Sequence, residues 1–140
     1  MELIANAVQT VNANQNVLFT DTVVSGNASI THRNGSGLIN LRGLTANQCR
    51  ARFKVSFGRN IGIPAGETVG PISIAISLDG ESIPSTTMIV TPAAVEDLFN
   101  VYSSIYIDVP KGCCYTMSVE NISTQPILVQ NANLIAERVA

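Results

Sequence analysis

Charge is what this sequence has least of. Only 13% of its 140 residues are Asp, Glu, Lys or Arg, against about 25% in an average soluble domain. Such a chain has little with which to cover a monomer's surface, so part of that surface is expected to be hidden by other copies or by a larger assembly. The net charge of -2 excludes a general pull toward nucleic acid or anionic lipid. No stretch nears the roughly 18 consecutive apolar residues that a spanning helix requires, so no membrane partner is expected. The opening MELIANAVQTVNANQN lacks the basic segment and apolar core that mark a secretory signal. Synthesis in a cytoplasm, with either residence there or exit by a route other than standard export, is the expectation. The N-x-S sequons at Asn27, Asn34 and Asn121 then read as chance matches.

Residues that do chemistry are also scarce. There is one histidine, His32, and there are three cysteines, Cys49, Cys113 and Cys114. A structural zinc site wants two ligands a few residues apart and four in all, and no such spacing occurs. Adjacent residues of an extended chain point to opposite faces, so Cys113 and Cys114 are poorly placed to chelate one ion. By parity Cys113 joins Tyr115 and Met117 on the core side, and Cys114 joins Thr116 and Ser118. Buried or half-buried free thiols are the expectation; a disulfide from Cys49 to either partner is disfavoured by a reducing compartment. His32 lies beside Arg33 at the edge of an Asn-Gly turn, with no nucleophile elbow or H-E-x-x-H motif in the chain. No catalytic residue, cofactor or metal is assigned. The glycine-rich GIPAGETVG, Gly62 to Gly70, lacks the closing Gly-Lys-Ser/Thr of a phosphate loop and reads as a connection between strands.

What the chain does have is alternation. In ISIAISLDG, Ile72, Ile74, Ile76 and Leu78 fall on one face, and Asp79-Gly80 ends the run, as in a strand closed by a hairpin turn. In RARFKVSFG, Phe53, Val55 and Phe57 alternate with Arg52, Lys54 and Ser56. In SIYIDVPKG, Ile105, Ile107 and Val109 alternate with Tyr106 and Asp108 until Pro110 stops the ladder and Gly112 reverses the chain. YTMSV, SITHR, LINLRGL, NVLFTDTVV and ILVQNANLIAERVA complete the strands. TPAAVEDLF alone reads as helical, with Thr91 as cap and Pro92 at the first position. Arg50, Arg52, Lys54 and Arg59 form a basic stripe on one strand. The first three share a face and are expected to be solvated or to bridge to acids such as Glu137 or Asp108 across a subunit boundary. In the final strand, Leu134 and Ala136 fall on one parity, Ile135 and Val139 on the other, so both of its faces are expected to be covered. One all-β domain follows: an antiparallel sandwich or jelly roll.

The order of the strands NVLFTDTVV, RARFKVSF, IYIDVPKGCCYTMSVENIS and NANLIAERVA resembles the tumour necrosis factor-like jelly roll, shared with the globular heads of complement and collagen-tailed proteins. The resemblance covers residues 15–140. It implies a homotrimer in which the sheet holding the first and last strands packs about the three-fold axis; the few aromatics make that contact aliphatic. Phe53, Val55, Phe57, Leu134, Ile135 and Val139 are the expected trimer-interface residues, and residues 1–14 the expected docking segment. GPISIAISLDGE, TMIVTPAAVE and VPKGCC are further similar to small proteins of gut Firmicutes and their phages. That likeness implies a non-enzymatic trimer on a phage virion, as a capsid decoration or head fibre that docks on a capsid or other particle protein. The alternative is a bacterial or phage surface adhesin that takes a host glycan or receptor through loops such as Gly62–Gly70 or Gly80–Thr87.

Overall fold

The structure, a computed structural model, describes residues 1–140. Its strands are β1 (Glu2–Ala5), β2 (Gln9–Val11), β3 (Asp21–Val24), β4 (Ile30–His32), β5 (Ile39–Arg42), β6 (Arg50–Gly62), β7 (Ile72–Leu78), β8 (Glu81–Ser82), β9 (Met88–Val90), β10 (Phe99–Pro110), β11 (Cys114–Asn121) and β12 (Ile127–Arg138). They form two antiparallel sheets. The first has the order β10-β6-β12-β1-β3, with β2 also on β12; the second has the order β4-β5-β11-β7-β8, with β9 also on β7. Hydrophobic alternation selects which face of each strand turns inward. Phe53, Val55 and Phe57 of β6 and Leu134 and Ala136 of β12 meet Ile74 and Ile76 of β7 and Met117 and Val119 of β11 in one core, all wholly buried. At about 25 cal/mol per Å² of apolar surface, these side chains each contribute on the order of 2 kcal/mol to holding the two layers together.

Asp79 and Gly80 both have positive φ, 52° and 84°, the conformation a two-residue hairpin requires. Leu78 pairs with Glu81 directly across them. The segment before β3 behaves differently. Val17 and Phe19 are wholly buried yet lie outside any ladder. Val17 N donates to Val119 O of the second sheet at 2.8 Å, and Thr20 N donates to Ile4 O of the first at 3.0 Å. The chain crosses here between layers, and the Phe19 ring stands edge-on to Phe57 at 6.0 Å and to His32 at 6.3 Å.

Several expectations change. Residues 1–14 are not a separate segment: β1 pairs with both β12 and β3, β2 pairs with β12, and Leu3 and Val11 are core residues. TPAAVEDLF forms no helix. Glu96 has φ 64°, in the left-handed region that no right-handed helix tolerates, and its N–H donates to Ile63 O at 2.7 Å. The loop is stretched against the end of β6 instead, and the one helical turn is the 3₁₀ turn Pro84–Thr86. All three cysteines are free, as expected, but exposed. Cys113 closes the turn that begins at Pro110 (N–H to Pro110 O, 2.9 Å), beyond the end of the core, so its parity no longer places it inside. The sequon residue Asn121 is wholly buried, which fits a chance match.

Candidate functional site

The outer face of the first sheet has no second layer over it. Register places its side chains in rows across the strands. One row runs Tyr102, Gly58, Asn133, Ile4; the next runs Ser104, Ser56, Ile135, Glu2, Val24; a third runs Tyr106, Lys54, Glu137. The Tyr102 ring covers Gly58, its Cδ2 3.4 Å from where a Cβ would stand. Tyr102 and Tyr106 are 64% and 62% exposed, Ile135 and Val139 42% and 45%, Val23 and Val24 50% and 55%. The aromatic pair sits on β10, the outermost strand on one side, and the valines sit on β3, the outermost on the other.

These positions divide the six residues expected at a contact between copies. Phe53, Val55, Phe57 and Leu134 are wholly buried in the chain's own core, because their parity faces the second sheet; a sister copy cannot reach them. Ile135 and Val139 do face outward. Tyr102 and Tyr106, which the sequence reading left out, share that face; their parity opposite Ile107 and Val109 carried the signal.

At one end of this face Asp108 holds two arginines. Arg52 donates from Nε at 2.7 Å and from Nη2 at 3.1 Å, and Arg50 donates from Nε at 3.2 Å. The hydrogen bond and charge of Arg52 hold the Asp108 carboxyl below the usual carboxylate range. The partnership expected across a subunit boundary is thus made within the chain, since β6 and β10 pair Arg52 with Asp108. Arg59 does not belong to the stripe. Its parity is that of Phe57, and it is 1% exposed, with Nη1 donating to Val101 O at 2.7 Å and its guanidinium 3.2 Å from the Phe57 ring centre. Nε and Nη2 have no partner, and burial pushes the group down to about 9.

His32 donates from Nε2 to Ser36 O at 2.8 Å. The shallow depression around it is lined by Thr31, Arg33, Ser36, Leu38 and Asn40, so no carboxylate stands by to orient it as a base. No group of three or more His, Cys, Asp or Glu side chains converges on a point. The loop Gly80–Thr87 is sewn to its own sheet: Thr86 Oγ1 accepts from Ile76 N at 2.9 Å and donates to Ile83 O at 2.7 Å.

No protein-family model and no curated protein matches the chain. Solved structures do. The globular domain of the zebrafish complement 1qA protein overlays with a TM-score of 0.60 at 10% identity, over 99% of this chain and 95% of that one. The C-terminal domain of EclA, a sugar-binding protein, gives 0.40 at 14% identity, over 95% and 80%. A family 35 carbohydrate binding module from Clostridium thermocellum gives 0.34 at 12%, over 92% and 98%. The first of these shows the fold to be the jelly roll of complement globular domains.

Proposed function

We propose that this chain is a non-enzymatic structural and binding domain that works as a homotrimer, with the outer face of the first sheet closed by sister copies. The observation that carries this reading is the makeup of that face. Its two rims differ: tyrosines on β10, and on β3 Val24, in one row with Ile135. Unlike rims match head to tail, and a head-to-tail contact that closes makes a ring rather than a two-fold dimer. Charge agrees, since Arg50, Arg52 and Lys54 on β6 outnumber Asp108 and Glu137 on the strands beside them, and Glu2 lies farther across the face on β1. Tyrosine anchors are the side chains on which interface energy concentrates.

The setting we infer is the surface of a phage particle, with a capsid or other particle protein as partner. Because residues 1–14 are built into the first sheet, that contact would use the terminal end of the sandwich rather than a free arm. Sedimentation equilibrium of the purified chain at micromolar concentration tests the trimer. Three copies are expected, with Tyr102→Ala and Ile135→Asp releasing folded monomers. A wild-type monomer would refute it. Immunogold labelling of intact virions tests the setting, and labelling confined to a bacterial surface would favour the adhesin instead.

A further inference from the structure

The end of the sandwich opposite the termini carries a groove that the trimer does not use. β6 begins beside the C-terminus, where Arg52 N donates to Ala140 O at 3.2 Å, and runs thirteen residues to Gly62. The loop after it therefore lies at the far end, where β11, which starts from the turn after Pro110 beside Arg50, also finishes. Glu67 to Pro71 make one wall of the groove, and Thr124 and Gln125 the other, around about 600 Å³. That volume is within the about 300–1,000 Å³ of small-molecule sites.

Side chains bonded to backbone hold both walls. Gln125 accepts from Thr68 N at 3.2 Å and donates to Thr68 O at 2.8 Å, pairing with that residue as a strand would. Ser123 does the same to Ser73, at 2.7 and 3.0 Å. Asn121, wholly buried, donates to Gln125 O at 2.9 Å and Val11 O at 3.0 Å and accepts from Ser123 N at 2.9 Å. Every second residue of one surface connection is thus committed to fixing its shape. Loops set this firmly on a rigid scaffold present their remaining groups without an ordering cost on binding.

Those remaining groups specify a ligand chemistry. Thr68 and Thr124 are exposed hydroxyl residues, and Val69 is an apolar surface, 46% exposed. Glu67 is the one ionisable residue in the lining and takes part in neither of the chain's ion pairs. With no cation present, an anionic ligand meets only repulsion. Hydroxyls and a carboxylate acceptor beside an aliphatic patch match a molecule with many O–H donors and a C–H face. We propose that this groove binds a neutral saccharide, with Glu67 accepting from adjacent hydroxyls, Thr124 exchanging a hydrogen bond and Val69 against the C–H face of the ring.

The test is a titration of the ¹⁵N-labelled full chain, followed by amide shifts, with glucose, galactose, mannose and their β1,4-linked disaccharides, and with glucuronate as the charged comparison. At least one neutral sugar is expected to move the amides of Thr68, Val69, Gly70 and Gln125 with a Kd of about 1 mM, and glucuronate to bind more weakly. Glu67→Gln and Thr124→Val should each weaken binding about tenfold while leaving the rest of the spectrum in place. The proposal is overturned by no shift up to about 100 mM of any neutral sugar, by shifts elsewhere on the surface, by a preference for glucuronate, or by variants that bind as the wild type does. Sedimentation run alongside reads the trimer separately, so either idea can fail alone.

Discussion

Replacing Arg59 by methionine is expected to stabilise this protein. The side chain is 1% exposed and has no carboxylate partner, and burial pushes its guanidinium well below the ordinary arginine range, to about 9. At 1.36 kcal/mol per pH unit, that fall corresponds to a desolvation cost of about 5 kcal/mol. Against it stand one charged hydrogen bond to Val101 O, about 2 kcal/mol, and the contact with the Phe57 ring, about 1–2 kcal/mol. A residual penalty of about 1–2 kcal/mol remains. Methionine fills the space with an adaptable apolar chain, and replacing buried charge by well-packed hydrophobes gains about 1–4 kcal/mol in comparable cases. Arg59→Met should therefore unfold about 1–3 kcal/mol harder in urea at pH 7, with protomer concentration held fixed.

The sign of the pH dependence makes the test sharper. A base whose folded pKa lies below its unfolded value costs stability at every pH below the folded pKa. That cost is relieved as pH climbs through about 9 and above. The wild type should then gain on Arg59→Met as pH rises from 7 to 10, because the folded state sheds this proton before the unfolded chain does. Taking the difference between the two proteins cancels titration of the other groups. A variant that loses 2 kcal/mol or more at pH 7, or a gap that stays constant to pH 10, would refute the reasoning: Arg59 would then have acceptors that offset its desolvation.

Three further outcomes follow from the same geometry. All three cysteines are exposed, so Ellman's reagent should titrate Cys49, Cys113 and Cys114 in the native protein without denaturant; a slow or partial reaction would show that the end of the sandwich is covered. A Cβ on Gly43 would stand 2.1 Å from Pro110 O, so Gly43→Ala must displace the backbone of the β10–β11 turn, and a loss of about 1–3 kcal/mol is expected in urea unfolding. The Asp108 carboxyl, held low first by its hydrogen bond to Arg52, should titrate below ordinary aspartate by ¹³C NMR and rise in Arg52→Gln. Its folded value is depressed, so whatever stability it adds is present at neutral pH and lost as pH falls through that value.

Alternation carried most of the fold, because each layer buries one face and exposes the other. Phe53, Val55 and Phe57 and the two parities of the last strand follow from period two alone, and the Asp79-Gly80 turn from its residue types. The same rule applied consistently would have placed Arg59 in the core, since it continues the series through Phe57; grouping it by charge with Arg50 and Arg52 hid this. Phe53, Val55, Phe57 and Leu134 went astray at the site for a related reason. Hydrophobicity marks a residue as covered without saying whether its own chain or another does the covering. TPAAVEDLF failed as a helix, and the strands within residues 1–14 went unread, because local pattern was overruled by pairing. Short strands such as β2 exist only because β12 lies beside them, and Glu96 is drawn out of a helix by Ile63. The groove walls were illegible for a stronger reason still: Gln125 and Thr68 are far apart in sequence, and nothing in either stretch announces the other.

The two proposals are compatible because a sandwich has both faces and ends. A ring that closes through the outer face of the first sheet consumes Tyr102, Tyr106, Ile135 and the rim of β3, all on strands that run along the sandwich. It leaves both ends free. The terminal end holds the C-terminus, the exposed cysteines and the turn at Gly112, where a particle could be engaged. The far end holds the groove between Glu67 and Gln125, carried outward in three copies. A weak site of about 1 mM then gains from repetition, since a surface bearing many sugars meets several grooves at once and the second engagement is effectively intramolecular. Ile135→Asp should therefore leave the affinity of one groove for a free sugar unchanged while abolishing retention of the protein on a glycan-coated surface. Equal loss of both would mean that the groove is shaped by the neighbouring copy.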